Sequence, residues 1–335
     1  MAKTHIGLDI GPEDVKIVCL ETIENGYKLS GYGFFSFGGD AQKLSNFIKG
    51  SSIPSGEIRI NIEDPSLKIR RIDLPQMTED EIDEAVKWGM KDVIDGNVED
   101  FSFNYIKIDE SDLKLSGKLP LIVFALKTSS IEQRERFIRE VGIRSPKVIE
   151  PNASALASIF EHSYGPNRDK PVAIIDIGRL FSVFTVIGRK GLVFSRPLTA
   201  CTVNNLTEQI VRDLGINTEQ AKELRRKYFQ HDMIDESFKT RLENTISQYF
   251  SRVAIEVQRS LDGFSLVFGK QKIIDVYLCG GGSLYSGLPE YLKQTVGGDF
   301  TVFDPFVKID TNQFSPGPFD TKKTLFAVAA GLAVD

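Results

Sequence analysis

The pattern that most restricts this chain is an internal repeat. His5–Leu20 reads HIGLDIGPEDVKIVCL, and Val172–Ile187 reads VAIIDIGRLFSVFTVI. Each copy holds an apolar strand, the tripeptide Asp-Ile-Gly, a short turn and a second apolar strand. Each then runs on into further strand-like sequence, Tyr27–Phe37 after Gly26 and Gly191–Arg196 after Lys190. A chain of 335 residues is long for a single core. Two halves that both open with a β-meander therefore predict a pseudo-symmetric, two-domain α/β protein with a cleft between the halves.

The segments between and after the meanders fit this plan. Thr78–Ile94 has the pattern of a capped helix, with Thr78 at the N-cap and Glu81 three residues on. Its apolar stripe is Ile82, Ala85, Val86, Gly89, Met90 and Val93. A strand pair is predicted over Phe101–Ile108 and Leu119–Leu126, then a helix from Ser130 to Val141. Lys147–Ile149 reads as a short strand and Asn152–Phe160 as a helix. In the second half, helices are predicted over Val203–Leu214, Thr218–Tyr228, Glu236–Phe264, Leu288–Thr295 and Thr324–Ala333. Ile273–Leu278 reads as a buried strand, and the proline-containing stretch Pro305–Phe319 as a loop.

Composition removes several functions. Forty-one Lys and Arg against 46 Asp and Glu leave a net charge of −5, which argues against a general nucleic-acid or anionic-membrane binder. The cysteines, Cys19, Cys201 and Cys279, are odd in number and far apart, and the only histidines are His5, His162 and His231. No spacing suits structural zinc or a disulfide framework. The longest apolar runs, Leu119–Leu126 and Leu325–Val334, are far short of a membrane span. These features predict a soluble, cytoplasmic protein with no direct membrane insertion.

A single Asp-x-Gly is an ordinary turn former. Two copies half a chain apart, followed by a buried strand and Gly280-Gly281-Gly282 at a helix entry, point to a phosphate-binding cleft. In such a cleft Asp9 and Asp176 are candidate holders of a hydrated magnesium ion. The alternative for the triple glycine is a tight strand-to-helix connection.

The set resembles the superfamily of actin, heat-shock chaperone and sugar-kinase ATPases along the whole chain. Asp9-Ile10-Gly11 matches its first phosphate loop, Asp176-Ile177-Gly178 the second, and Gly280-Gly281-Gly282-Ser283 the adenosine loop. Glu150-Pro151-Asn152-Ala153 looks like its connecting segment. Within the superfamily the chain is most similar to the PilM family of type IV pilus assembly, which is FtsA-like. The stretches that carry this likeness include IDLPQMTEDEIDEAVKW, VIEPNASALA, LTEQIVRDLGINTEQAKELRR, EVQRSLDGF, LCGGGSLYSGLPEYL and FAVAAGLA.

The resemblance implies a bilobed actin-like ATPase fold with a duplicated βββαβα core and an FtsA/PilM-type small subdomain. Residues 1–75, with 147–170 and 320–335, would form the first core subdomain, and 76–146 the small inserted one. Residues 171–200 with 271–319 would form the second core subdomain, and 201–270 its helical companion. It further implies ATP and magnesium in the cleft, held by Asp9, Gly11, Lys16, Asp176, Gly178, Ser182, Arg225, Gly280, Gly281, Gly282 and Ser283. Glu150 is the one candidate for a catalytic role, ordering a metal-bound water; its alternative is a charge at a helix N-terminus. The implied partners are the cytoplasmic N-terminal tail of a PilN-like inner-membrane protein and other pilus assembly proteins. That would recruit the chain to the inner face of the inner membrane.

Both phosphate loops depart from the family pattern. Pro12, Glu13 and Asp14 stand where small hydroxyl residues are usual, and Leu180, Phe181 and Ser182 where Gly-Thr-Thr is usual. Proline lacks an N–H, and a carboxylate about 4 Å from a phosphate charge repels it by about 4 kcal/mol at an effective dielectric near 20. The expected function is therefore an adaptor with weak or lost nucleotide binding. An active ATPase of pilus assembly, or the related cytoplasmic component of a type II secretion system, stands as the alternative. Trp88, the only tryptophan, is a candidate partner anchor opposite the apolar stripe of its helix, set against packing within its own subdomain.

Overall fold

Both hairpins form around the Asp-Ile-Gly turns. The computed structural model describes residues 3–51, 53–108, 117–165, 170–269 and 272–334. In the first half, β1 (Thr4–Ile10), β2 (Asp14–Ile23) and β3 (Gly26–Ser36) lead to α1 (Ala41–Gly50) and β4 (Glu57–Asn61). Next come β5 (Lys68–Pro75), α2 (Glu79–Met90), β6 (Phe101–Lys107), β7 (Lys118–Lys127), α3 (Thr128–Glu140), β8 (Val148–Glu150) and α4 (Asn152–Tyr164). The second half opens with β9 (Val172–Ile177), β10 (Ser182–Ile187) and β11 (Leu192–Pro197), followed by α5 (Val203–Leu214), α6 (Thr218–Phe229) and α7 (Glu236–Phe268). It ends with β12 (Asp275–Cys279), α8 (Leu288–Thr295), β13 (Asp299–Val302), β14 (Ile309–Asp310) and α9 (Ala327–Ala333).

The repeat extends to strand order. One sheet runs β14-β3-β2-β1-β4-β8 and another β11-β10-β9-β12-β13, so each half places its first strand between its second and fourth. In the first sheet β1 is antiparallel to β2 but parallel to β4, and β4 is parallel to β8. Strands buried on both faces need continuous apolar sequence, and β9 and β10 are buried at every residue.

The chain divides into two units. The first is Met1–Pro171 with Thr185–Ser195 and Asp304–Asp335, and the second is Val172–Phe184 with Arg196–Phe303. In the first unit Ile6, Leu8, Ile10, Leu44, Ile58 and Ile60 build the core of the six-stranded sheet, joined by Ile138, Val141 and Ile143 at the end of α3. The three-stranded sheet β5-β7-β6 has a separate core, in which Ile82, Val86 and Met90 of α2 meet Leu121, Val123 and Ala125 of β7. That separate core lies between α2 and one face of the small sheet, whereas the end of α3 packs into the core of the larger sheet.

Helix α9 closes the first core by backbone contact. A Cβ at Gly7 of β1 would overlap the carbonyl of Ala329, and one at Gly331 would overlap the carbonyl of Ala155 in α4. Only glycine lets a strand, α9 and α4 approach this closely.

Several boundaries differ from the sequence reading. The capping box of α2 is present, with the Thr78 N–H and hydroxyl both donating to Glu81 Oε2 at 2.9 Å, but the helix ends at Met90, short of Ile94. Within Pro305–Phe319 the chain adds β14 beside β3, pairing Ile309 with Tyr27. The predicted helix over Thr324–Ala333 opens as a 3-10 turn, Asp320–Phe326, before α9 begins.

Candidate functional site

In the first unit, the candidate residues collect where β1 and β4 end. Asp9 pairs with Lys16 across the β1–β2 ladder, which brings Lys16 Nζ to 3.2 Å from Asp9 Oδ2, with both side chains largely buried. The other oxygen, Asp9 Oδ1, accepts from Asn61 Nδ2 at 2.9 Å. Lys16 is thus a member of a buried ion pair rather than a free surface lysine.

The turn that follows is closed on itself. Gly11 N–H donates to the Asp14 carbonyl at 2.9 Å, and the Glu13 carbonyl accepts from Phe37 N–H at 2.8 Å and Gly38 N–H at 2.9 Å. Pro12 is exposed and brings no N–H. The Gly11 amide, a phosphate donor in the family pattern, already has its acceptor.

A polar network supports this turn, and sequence reasoning had not found it. Asn61 Oδ1 accepts from Ile10 N–H at 2.8 Å, and its Nδ2 also donates to Asn152 Oδ1 at 3.0 Å. Arg134 of α3 donates to the Ile10 carbonyl at 2.8 Å and to the Asn61 carbonyl at 2.9 Å. Burial pulls the guanidinium pKa down, while Asp9 and Glu63 oppose that pull. Glu63 Oε1 accepts from Asn152 N–H at 2.8 Å, so Glu63 caps the N-terminus of α4. Glu150 lies at the end of β8, and burial pushes its carboxyl pKa up against the smaller opposing effects of Ser154 and Arg59.

The second unit gathers the other turn and the triple glycine. Asp176 is in register with Cys279 in the parallel β9–β12 pair, so the two strands release their turns side by side. A Cβ at Gly280, whose φ is +78°, would overlap Asp176 Oδ1, and one at Gly282 would overlap the Ile177 side chain. A Cβ at Gly178 would overlap the Phe181 carbonyl. Close packing of the turns thus demands Gly178, Gly280 and Gly282, while Gly281 has only Val203 within contact range.

The hydroxyls here also point inward. Ser283 Oγ donates to the Gly280 carbonyl at 2.7 Å. Ser182 Oγ donates to the Cys201 carbonyl at 3.4 Å, which also accepts from Tyr249 Oη at 2.8 Å. Arg225 donates to the Val203 carbonyl at 3.2 Å and to Thr207 Oγ1, and Val203 N–H donates to the Gly178 carbonyl at 2.9 Å. Beside it, Phe229 stacks on Tyr285 with ring centroids 4.0 Å apart. Burial pushes the Tyr285 phenol to about 12, opposed by Arg225 and Arg179.

Two of the cysteines are held as thiols. Burial raises the Cys201 thiol to about 12 and the Cys19 thiol to about 11, so neither forms a thiolate near neutrality. Among the described residues, no three His, Cys, Asp or Glu side chains converge to hold a metal. Trp88 lies on α2 and is 80% exposed. That removes the reading in which it packs within its own subdomain.

The comparisons with known proteins agree with this topology. The family model "Type IV pilus assembly protein PilM" matches residues 7–335. No curated protein matches the sequence. Among solved structures, a PilM–PilN type IV pilus biogenesis complex superposes with a TM-score of 0.82 at 22% identity, over 98% of this chain and 97% of that one. MreB5 of Spiroplasma citri bound to ADP gives 0.52 at 12% identity, over 98% and 94%. The ethanolamine utilization protein EutJ from Carboxydothermus hydrogenoformans gives 0.51 at 12% identity, over 98% and 89%. These likenesses show an actin-like ATPase fold. With the repeated sheet order and a family match spanning nearly the whole sequence, the chain belongs to the PilM family of type IV pilus assembly proteins.

Proposed function

We propose that this protein is an adaptor of type IV pilus assembly that holds nucleotide weakly or not at all. It docks the cytoplasmic N-terminal tail of a PilN-like inner-membrane protein, and this recruits it to the inner face of that membrane. A PilM–PilN complex of the same fold supports the choice of partner. No helix among the described residues is long and apolar enough to cross a membrane, so membrane attachment is assigned to the partner.

One observation carries the nucleotide part. The groups that ATP and magnesium would use are already bonded within each unit: the Gly11 amide, the Lys16–Asp9 pair, the Ser182 and Ser283 hydroxyls and the Arg225 guanidinium. Nucleotide would have to break these bonds before making its own, each costing about 1 kcal/mol or more. The residues present do not fit the cofactor that the family pattern implies, and the adaptor role needs no turnover.

Calorimetry with magnesium–ATP tests this directly, with negligible heat expected up to millimolar nucleotide. A micromolar affinity would sink the reading. The cause is tested separately by combining Pro12→Thr, Glu13→Ser, Asp14→Ser, Leu180→Gly and Phe181→Thr in one folded variant. Gain of binding assigns the loss to these loops.

A further inference from the structure

The chain returns from the second unit to the first between Phe303 and Asp304, and a short stretch then fastens it there. That stretch ends in β14, which pairs only Ile309 with Tyr27 and Asp310 with Lys28 of β3. So short a ladder is too weak to hold an edge strand by itself. Burial of Phe306 and Ile309 helps, and the last turn of α4 adds two side-chain bonds to backbone carbonyls. Ser163 Oγ donates to the Pro305 carbonyl at 3.2 Å, and the His162 ring donates to the Lys308 carbonyl. The His162 ring also meets Tyr27 edge-on, with centroids 5.2 Å apart.

These contacts suit the neutral imidazole alone. Its Nε2 is buried with no hydrogen-bond partner among the described residues, so the N–H that reaches Lys308 is on Nδ1. A second proton would go on Nε2, where the described residues offer no acceptor, and would place a charge in a half-buried site. It would also stand beside the ammonium of Lys308, which lies near Gly165 at the C-terminal end of α4. That helix end favours one cation, and Lys308 already supplies it. The other titratable groups on the surrounding elements are engaged elsewhere. His5 of β1 lies behind Tyr27 and is bonded to Thr22 Oγ1, and Asp310 of β14 accepts from Asn312 N–H. On α4 itself the Glu161 carboxylate lies beside Gly191.

We propose that His162 is an acid-sensitive clasp that holds β14 on β3 while neutral and loosens it on protonation. Burial and the Lys308 charge pull the ring's pKa below its ordinary value near 6.5, and the bond to the Lys308 carbonyl opposes them. The contribution of the clasp is therefore complete above that ordinary value and is lost as pH falls from it through the depressed one. Loosening frees the outer edge of β3 at Tyr27 and Lys28, a backbone edge open to other pairing.

Hydrogen exchange of the full-length chain reads the clasp. Amides within residues 306–310 are followed at about pH 7.5 and about pH 5, either side of the ordinary histidine value, and corrected for intrinsic exchange. Strand β12, in the second unit, is the internal reference. Protection of residues 306–310 is expected to fall several-fold at the acid pH relative to β12. His162→Asn keeps a donor near the Nδ1 position but takes up no proton, so its protection should not change with pH. Lys308→Met removes the ammonium and keeps the carbonyl, and should shrink the loss. Proton NMR of the rings of His5, His162 and His231 gives the titration directly, with His162 identified by the signal missing from His162→Asn.

Three results would overturn the proposal. If the His162 ring titrates at or above the ordinary value, the fold does not favour its neutral form. If it titrates below that value while exchange of residues 306–310 stays constant with pH, the bond does not hold β14. If His162→Asn loses protection in acid as the native chain does, another group is the sensor. The first two results come from the native chain, so they stand whether or not the variants fold.

Discussion

The guanidinium of Arg134 donates to the carbonyl of Ile10 at 2.8 Å, so a helix that follows the small sheet holds the turn after β1. The same side chain serves Asn61 through its carbonyl and its Oδ1, at 2.9 and 3.1 Å. Removing the guanidinium leaves two backbone carbonyls short of a donor in a region where water has little access. Arg134→Met, which keeps the side-chain length, is expected to cost about 3 kcal/mol. Urea denaturation at neutral pH measures it, and a loss below about 0.5 kcal/mol would show that the network is incidental.

The Glu150 carboxyl gives a pH test. Burial raises its folded pKa above the ordinary value near 4.5, so the folded state binds this proton more tightly than the unfolded chain does. Its contribution is therefore favourable at low pH and is lost as pH rises from that ordinary value through the raised one. Glu150→Gln removes the titration, so the variant should gain stability relative to the native chain at pH 7. The gain should vanish below pH ~4. Melting temperatures measured across pH 3 to 8 decide it, and an advantage that grows toward acid would refute the sign.

Two buried tyrosines of the second unit should respond oppositely to the same change. Tyr249 Oη donates to the Cys201 carbonyl at 2.8 Å, whereas Tyr285 Oη is buried with no hydrogen-bond partner among the described residues. Tyr249→Phe should cost about 1 kcal/mol, and Tyr285→Phe should be neutral or stabilising. Denaturant titration of the two variants side by side is the check; equal losses would mean that the Tyr285 hydroxyl is satisfied in solution.

Gly331→Ala should be among the most damaging conservative substitutions in the chain. The added methyl would meet the backbone carbonyl of Ala155, which has no rotamer to yield. Overpacking of this kind costs about 3 kcal/mol or more where backbone must shift. Limited proteolysis and melting of the variant read the loss, with Gly50→Ala, where a Cβ meets nothing, as the neutral comparison.

Much of this architecture was legible because period and punctuation agree. The alternating apolar residues of β1 and β2, broken by Asp-Ile-Gly, announce a hairpin, and the second copy announces the second sheet. Strand β5, KIRRIDLP, escaped because it is rich in charge and half-exposed along much of its length. β4, EIRIN, was too short to stand out beside its charged neighbours. Asn61 and Arg134 escaped for a different reason. They serve the first turn from positions distant in sequence, and nothing local distinguishes an arginine on α3 that faces inward. The glycines of the GGGS turn were visible, but their cause was not: the packing partner of Gly280 is Asp176, on another strand.

The backbone contact of α9 with β1 and α4 also sets an order of events. Gly7 is made before the second unit, and Ala329, against which it packs, is made only after the second unit has been translated. Until translation has passed Ala333, the six-stranded sheet keeps an apolar face without its helix. The first unit to be synthesised is therefore the later of the two to be completed, and its early strands must stay out of foreign pairings while they wait.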